Sequence, residues 1–561
     1  MDYAYPTDYL RDRERAAVAA SAPDALMKRA AAAIVDGCRE LLALHDRAPQ
    51  GPVAALVGGG DNGGDALYAL AGLAEQGVDT LAIVCTPHPH ERALRAAAAA
   101  GVSQVVPDLA SHPRKSSVEV ARVCSTCEVI IDGLVGTGGD GPLRQPLASL
   151  VATIAKALRV DQRSASLSGR RRSPQHATES RRRRPLVLAV DLPSGIGTDN
   201  ARVAGEHLVA DLTLTMGALK PQVCAPPAVY SCGRVDTCDI GLDLDPSQAA
   251  LVRVRAEDVG AAWPVPGPTD HKYTRGVASI LAGSSAYPFT GVLCVQAAQR
   301  AGCGMVRYNG PDEAALAVLT RCPEAVSTPG RFQAALVGPG LSGDDSARLR
   351  DAAEVVRRCR AAHLPLVMDA GALSEWATMC ESMPEGRPGP LTILTPHAGE
   401  AAALLTRLGC GQRSGGVTRA DVDEEPLAWA GRLAEATGCV VLLKGQASIV
   451  AARGIVPHVV REAPGWAGTA GSGDVLAGIV VAAVAGAQAR SEERGRELRV
   501  EDVARAGAHA AWVHAHAAAL AAGTARGIES VGHPIVATDI ADHVPYAIAA
   551  ALSTDSKRYN G

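Results

Sequence analysis

Three glycine-rich stretches in the first half of the chain carry acids where a phosphate loop avoids negative charge. They are DNGGD at 61–65, DGLVGTGGDGP at 132–142 and DLPSG at 191–195, each after an apolar, strand-like run. Glycines at 63, 64, 136, 138 and 139 let main-chain amides approach a bound group closely. Asn62, Asp132 and Ser194 each offer a hard oxygen, the donor type for a cation without soft ligands. A diphosphate cradle joined to an oxygen-lined cation site accounts for Asp61 and Asp65 inside a glycine turn. Taken singly, Asp61, Asp65 and Asp132 read equally well as helix caps and turn formers. Three such turns after three strands favour a binding site. In the second half, AGTAGSGDVLAGIVVAA places Gly471, Gly473 and Asp474 at the start of a long apolar helix. Amides at a helix N-terminus bind anions. A carboxylate just inside that turn is placed to take a proton from a hydroxyl attacking a phosphate. The plainer reading makes Ser472 or Asp474 a helix cap. LVGPGLS at 336–342, LTPHAGE at 394–400 and LLKGQAS at 442–448 strengthen the catalytic one.

The elements that must position these residues alternate along the chain. Residues 10–45 have helical spacing and few breakers. PVAALV, DTLAIVC, CEVIIDGLVG, PLVLAVD and ADLTLTMG then read as strands separated by helical runs. Apolar strands without alternation, spaced by helices, indicate a parallel sheet covered on both faces, with ligands gathered at the carboxyl ends of the strands. Proline, aspartate and glycine interrupt this rhythm near 240–270. A second series follows, including ASILAGS, AALVGPGLS, PLVMDAGAL, LTILTPHAGE and CVVLLKGQASIV. The expected architecture is two α/β domains, 1–245 and 250–555. The segment from Arg159 to Arg184, RVDQRSASLSGRRRSPQHATESRRRR, is too polar to fold alone and is expected to be a disordered surface insertion. A polyanion tether is the other reading of such a charge run, but no aromatic residues accompany its arginines.

At 561 residues the chain exceeds one hydrophobic core. Aromatics are only 3% of it, so alanine, valine and leucine must fill the cores. A net charge of -4 gives no pull toward nucleic acid or an anionic membrane, and neither is expected as a partner. Fourteen cysteines follow no framework pattern, and CSTC at 124–127 has no second ligand pair at zinc spacing. They read as buried thiols of a cytoplasmic protein. The opening MDYAYPTDYLRDRERAA is charged from the start, unlike a signal peptide.

DNGGDA, VIIDGLVGTG, VDLPSGI and LTLTMGALKP resemble the signatures of the NAD(P)H-hydrate epimerase domain, over about residues 10–240. The resemblance implies a Rossmann-like α/β/α sandwich with potassium held by Asn62, Asp132 and Ser194. It implies substrate contacts from Asp61, Asn62, Gly63, Gly64 and Asp65, from the loop Gly136, Thr137, Gly138, Gly139, Asp140, Gly141 and Pro142, and from Asp191. Asp191 is the implied acid and base at C6 of the hydrated nicotinamide ring. The family turn is usually GNNGGDG; here Asp61 and Ala66 replace its first Asn and last Gly. The second half, with DHKYTRGVASILAGSSAYPFTG, GPGL, TPHAGE and GSGD, resembles the ribokinase-like NAD(P)H-hydrate dehydratase domain over about residues 250–550. That implies substrate contacts from Val292, Gly340, His397 and Asp474. Adenine-nucleotide contacts would come from Lys444, Gly445, Gln446, Ala447, Ser448, Gly471 and Gly473. Asp474 would be the base, and the donor ADP or ATP, usually ADP in bacterial members, with Mg2+. Three positions depart from that family: Tyr273 in HKY, Val292 in TGV, and Gly371 in DAG where the family has DAD.

The expected function is repair of hydrated NADH and NADPH (NADHX, NADPHX): epimerisation of the two C6 epimers and nucleotide-dependent dehydration of one. Two alternatives are a ribokinase-like vitamin-precursor kinase with an accessory domain, and a first half reduced to a binding module. The helical N-terminus offers a surface for a second copy, so a homo-oligomer is expected. Because loops between elements tolerate insertion, replacing 159–184 by a short Gly/Ser linker is expected to leave folding and both activities nearly unchanged. A large drop in soluble yield or in either rate would contradict this.

Overall fold

The computed structural model describes residues 2–47, 51–136, 142–167, 184–197, 199–203, 205–381, 387–411, 415–461, 463–525 and 531–554. The chain divides into two compact units, Tyr3–Ala250, and Leu251–Gly561 with Met1–Asp2. Each is described by itself.

In the first unit the strand sequences are apolar on both sides, and they form a seven-stranded sheet. Its order is Ser103–Val105, Thr80–Val84, Val53–Val57, Val129–Gly133, Leu186–Val190, Leu212–Met216, Arg234–Cys238. Every pairing is parallel. Alternate residues serve two cores. Val53, Ala55 and Val57 join the helices Ala25–Leu44 and Asp61–Ala74 on one face. Ala54 and Leu56 join Pro113–Cys124 and Leu147–Leu167 on the other. The chain begins at Val53–Val57, builds outward, and returns to start again beside it at Val129–Gly133. That reversal opens a crevice at the carboxyl ends of these two strands. DNGGD and the Asp132 turn both leave from there.

In the second unit the sheet runs Leu251–Arg253, Ile455–Val460, Ser448–Ala452, Val440–Leu443, Thr392–Leu394, Leu366–Met368, Ala334–Val337, Val277–Leu281, Met305–Asn309. The helix Ser472–Glu493 lies under it, buried along nearly its whole length. It is long and apolar enough to cross a membrane by length and composition, but 83% of that window is buried within the protein. All fourteen cysteines are free; twelve are buried, and Cys85 and Cys410 are half-buried.

The structure departs from the sequence reading in four places. The helix expected over 10–45 is two helices, Thr7–Ala19 and Ala25–Leu44, because Asp24 adopts a left-handed φ of 59° just after Pro23. CVVLLKGQASIV is a hairpin, not one strand: Val440–Leu443 and Ser448–Ala452 pair antiparallel around the turn at 444–447, so the second sheet is mixed. DNGGD is the first turn of the helix Asp61–Ala74 rather than a loop. The segment 159–184 does not begin where expected, since the helix Leu147–Leu167 continues into it. At its far end the Arg184 guanidinium is bonded to Asp211, within the folded unit. Residues 168–183 lie outside the described residues.

Small residues set the spacing of the buried helices. A Cβ on Gly478 would lie 2.4 Å from the Cys294 carbonyl oxygen, on the neighbouring helix Thr290–Arg300. Gly478→Ala gains about 1 kcal/mol of helix propensity but forces apart two backbones, and overpacking costs about 1–3 kcal/mol. The clash with backbone decides the sign, and a lower urea midpoint is expected. A midpoint at or above the wild-type value would show that the two helices can separate freely.

Candidate active sites

In the first unit the helix Thr7–Ala19 is held at its start by Asp199, whose carboxylate accepts from Thr7 N (3.0 Å) and Thr7 Oγ1 (2.5 Å). It borders a cavity of about 1230 Å³ lined also by Asp61, Asn62, Asp65, Asp191 and Met216. Asp191 immediately follows the strand Leu186–Val190, has φ 69° and is 5% exposed. Its Oδ1 accepts from Lys220 Nζ (2.5 Å), Met216 N (3.0 Å) and Thr215 Oγ1 (3.3 Å). Lys220 is fully buried and also donates to the Met216 carbonyl (2.9 Å). Sequence reading missed Lys220, although it quoted LTLTMGALKP. It missed Glu14 altogether. Glu14 lines the same cavity, and its carboxyl is pushed up to about 7. Burial is the main cause; Asp191 and Asp61 add to it, and Lys220 opposes it. Burial, reinforced by Asp61, Asp191 and Glu14, also drives the Asp65 carboxyl well above the usual range.

Of the three expected cation ligands, Asp132 and Ser194 are in direct contact, and Asn62 lines the cavity and reaches the end of the neighbouring strand at Val190. Asp132 is fully buried and accepts from Ser194 Oγ (2.7 Å), Ser194 N (2.8 Å) and Leu134 N (3.4 Å). The Asn62 carboxamide donates to the Val190 carbonyl (2.7 Å), and the main-chain carbonyl oxygen of Asn62 lies 2.8 Å from where a Cβ on Gly133 would stand. A Cβ on Gly136 would be 2.6 Å from Asn62 Oδ1, so the glycine admits that side chain. Asp132 pairs with no cationic side chain among the described residues, and burial pushes its carboxyl up. A buried acid with no cationic partner among the described residues, beside the hydroxyl of Ser194, is chemically compatible with a monovalent cation. Two of the turn's glycines are also demanded by packing. A Cβ on Gly63 would strike the Gly58 carbonyl (2.3 Å), and one on Gly64 would strike Met27 Sδ (2.6 Å). Ala66, one of the departures, is buried in the core. Asp61 stands inside the first helical turn after Gly60 and makes no capping bond. Thr137, Gly138, Gly139, Asp140 and Gly141 lie outside the described residues; Pro142 is exposed.

In the second unit the expected residues converge from five elements. Asp369 follows the strand Leu366–Met368, is 1% exposed, and accepts from Lys444 Nζ at 2.8 Å. Lys444 lies 3.7 Å from Glu400. Burial acts to lower the Lys444 pKa, but Asp369, Glu400 and Asp474 outweigh it and hold the ammonium charged. A Cβ on Gly473 would stand 3.4 Å from Lys444 Nζ. Gly471 begins the helix at φ 86°, and a Cβ there would meet Leu293 (2.6 Å). Gly340, at φ 68°, would meet Thr290 Oγ1 (2.3 Å), one turn before Leu293 and beside the partly buried Val292. His397 bridges the backbone of Lys444 and caps the helix Ala398–Arg407, its Nδ1 accepting from Gly399 N (3.0 Å) and Glu400 N (3.2 Å). In the hairpin turn Gly445 and Gln446 are exposed and Ala447 is buried; Ser448 Oγ donates to the Gly445 carbonyl (3.2 Å).

Asp474 neither caps the helix nor hydrogen-bonds to any described residue. Its carboxyl is pushed up to about 7, mainly by burial, with Asp369 adding and Lys444 opposing. Ser472 is committed elsewhere, its Oγ lying 3.1 Å from His514 Nε2. Gly371 cannot carry the carboxylate of the family pattern, because a Cβ there would sit 2.5 Å from the Leu341 carbonyl. The described residues form no cluster of three side chains suited to a metal. Asp369, Glu400 and Asp474 outnumber the single Lys444 charge, which suits a divalent cation arriving on nucleotide phosphates.

Residues 23–222 match the family described as YjeF-related protein N-terminus, and 278–534 the family described as NAD(P)H-hydrate dehydratase. The bifunctional NAD(P)H-hydrate repair enzyme Nnr of Mycobacterium tuberculosis (strain ATCC 25618 / H37Rv) is 37% identical, over 86% of this chain and 89% of that protein. The enzyme of the same name from Mycobacterium leprae is 36% identical, over 98% of this chain and 100% of that protein. The crystal structure of the ADP/ATP-dependent NAD(P)H-hydrate dehydratase from Bacillus subtilis, co-crystallised with ATP/Mg2+, covers 54% of this chain and 99% of its own. Its TM-score is 0.43 and its identity 22%.

Removing one partner of a buried ion pair leaves the other charge uncompensated. Lys220→Met is therefore expected to destabilise the first unit by about 3–5 kcal/mol, read as a lower thermal midpoint. Asp191→Asn added to Lys220→Met should restore part of that loss. No recovery would mean that the lysine acts through packing and not through charge.

Proposed function

The chain belongs to the family of bifunctional NAD(P)H-hydrate repair enzymes, and we propose that Asp191 and Glu14 serve its epimerisation and Asp474 with Lys444 its dehydration. The substrate is hydrated NADH or NADPH, which bears a hydroxyl on C6 beside the ring nitrogen. Its two epimers are interconverted by the first unit. The second removes water from one of them at the expense of a nucleotide phosphoryl group, giving NAD(P)H and phosphate, with AMP when ADP is the donor.

In the first unit the two carboxyls divide the work. Glu14 keeps its proton up to about pH 7, so it is the group able to protonate the departing hydroxyl while the ring nitrogen lone pair expels it as water. Asp191, its Oδ1 committed to Lys220, Met216 and Thr215, takes the proton of the water that adds back to the other face. Pairs of carboxyls in unlike environments divide acid and base roles in this way. Asn62, Asp132 and Ser194 would hold potassium, whose charge would offset the substrate diphosphate. The free amides at the start of Asp61–Ala74 would face that diphosphate.

In the second unit Asp474 takes the proton of the C6 hydroxyl as it attacks the donor phosphorus. Lys444 and the amides of Gly471 and Gly473 stabilise the charge on the transferring group. Mg2+, when bound with the donor, would neutralise phosphate charge. The ring nitrogen then expels phosphate and restores the dihydronicotinamide. The observation that carries this reading is an unpartnered carboxyl, pushed up to about 7, at the amide-rich start of a buried helix. A base poised near neutrality meets the requirement for proton transfer at working pH.

The two reactions should respond to pH in opposite directions. Glu14 must be protonated to act, so epimerisation is expected to fall as pH rises through 7. Asp474 must be deprotonated, so dehydration is expected to rise through 7 and level off. With mixed epimers and ADP, Asp474→Asn should interconvert the epimers while NADH formation drops by about a hundred- to ten-thousand-fold. Glu14→Gln and Asp132→Ala should instead slow epimerisation and leave dehydration of the correct epimer intact. NADH appearing from the Asp474→Asn variant at the wild-type rate would reduce Asp474 to a structural residue.

A further inference from the structure

A second cavity, of about 480 Å³, opens at the other end of the helix that carries Asp474. Arg490 sits 16 residues beyond Asp474, which at 1.5 Å per residue separates the two by about 24 Å. The Arg490 guanidinium is folded back along its helix: a Cβ on Gly486 would lie 3.5 Å from Nη1, 3.6 Å from Pro264 Cγ and 3.7 Å from the Arg275 carbonyl. Nη1 is sealed from solvent and without an acceptor. Arg490 forms no ion pair among the described residues, and burial, with Arg494 and Arg496 adding, lowers its pKa.

The surroundings make this a pocket in which arginines outnumber acids among the described residues. Arg275, Arg494, Arg496 and Arg505 also line it. Among the lining acids, Asp502 is already engaged by Arg496 (2.7 Å), Arg505 (2.7 Å) and the amide of Arg499 (3.2 Å). Asp270 accepts from Gly267 N (2.6 Å). Only Glu493, which is exposed, has no such partner. The side chain of Arg275 donates to the carbonyl of Gly302 (3.1 Å), and its charge acts on the Asp270 carboxylate. His509 lines the same cavity, is 5% exposed, and hydrogen-bonds to no described residue. Its pKa is pushed down to about 3, by burial first and then by His458, Arg505 and Arg490.

Arginines near a helix C-terminus often complement its dipole. That accounts for the exposed Arg494, but not for a guanidinium nitrogen buried without an acceptor or for a buried imidazole beside it. Buried polar groups are ordinarily satisfied, and each exception calls for a cause. We propose that this cavity is an anion site, separate from the catalytic centre, that takes a small phosphorylated anion between Arg490, Arg494 and His509. Guanidinium groups bind phosphate oxygens in bidentate fashion, and the cavity is large enough for a diphosphate. The inference does not depend on the reaction assigned to Asp474.

The probe is inorganic pyrophosphate, titrated calorimetrically into the full chain at low salt, with and without saturating ADP. Pyrophosphate is expected to bind while ADP occupies the catalytic centre, and to bind more weakly as salt is raised. Arg490→Gln should weaken that binding by about ten- to a hundred-fold, the loss of charge-assisted hydrogen bonds, and leave kcat and the KM for ADP unchanged. Arg494→Glu, at an exposed position where folding is not at risk, should weaken it too. Inorganic phosphate, run as a second arm, separates a site for free phosphate from one that needs a diphosphate. Complete displacement of pyrophosphate by ADP, unchanged binding in both variants, or no binding to the wild type would each overturn the proposal.

Discussion

Lys220 lies 2.5 Å from Asp191, and Lys444 lies 2.8 Å from Asp369; in both pairs the acid immediately follows a parallel strand and is almost wholly buried. Two different folds have thus arrived at one electrostatic arrangement. Burying either acid alone would be prohibitive, and a buried ammonium without its acid equally so. Once paired, the two charges fix the end of a central strand and leave a second carboxyl nearby with no cation of its own. That second group is Glu14 in one unit and Asp474 in the other, and both are pushed up to about 7. Burial sets the acidity of that neighbour, while the two charges of the pair pull it in opposite directions and hold the turn. A carboxyl with a midpoint near neutrality can give or take a proton at physiological pH, which an ordinary surface carboxylate cannot do efficiently.

The backbone at these strand ends is equally constrained. Asp191 itself takes φ 69°, and Ala370, directly after Asp369, takes φ 46°. Such conformations cost about 1–3 kcal/mol each for residues other than glycine and persist only where surroundings impose them. Close main-chain approach supplies the constraint in the second unit, where Gly338 stands so near the Asp369 carbonyl that a Cβ would fall 1.8 Å from it. Strand end, lysine and glycine turn form one rigid assembly, and the poised carboxyl is brought to it on a helix: Thr7–Ala19 in one case, Ser472–Glu493 in the other.

The motifs most legible in the sequence were those written contiguously. DNGGD, DLPSG, GSGD and TPHAGE each combine special backbone residues with a functional side chain inside a few positions, and their order after apolar runs gives away the parallel sheets. What escaped depended on distant contacts. Lys220 is an ordinary lysine until the loop after Leu212–Met216 folds it under the neighbouring strand. Glu14 lies in TDYLRDRERAAVA, whose dense charges read as a solvated helix face; its burial follows from the docking of that helix through Thr7 and Asp199. The hairpin at 440–452 was hidden because its turn, 444–447, is only four residues between two apolar runs. Gly371 looked like a lost carboxylate and is a packing position. Gly63 and Gly64 read as ligand-facing positions, and each is also demanded by a neighbour within the fold.

The aromatic-poor interior leaves its fourteen thiols in an unusual position. Cys38, Cys359 and Cys439 are buried and pushed up to about 12 by that burial, and half-buried Cys85 reaches the same value. Since the thiolate is the reactive form, such groups at neutral pH are ionised in only about one molecule in 10⁵. Electrophiles and oxidants in the surroundings thus meet a cysteine-rich protein that behaves toward them as though it had almost no cysteine. Those four thiols form a silent background, and apart from Cys85 and Cys410 every native thiol is buried, so a single cysteine introduced at the surface would be the most accessible site for a spectroscopic label.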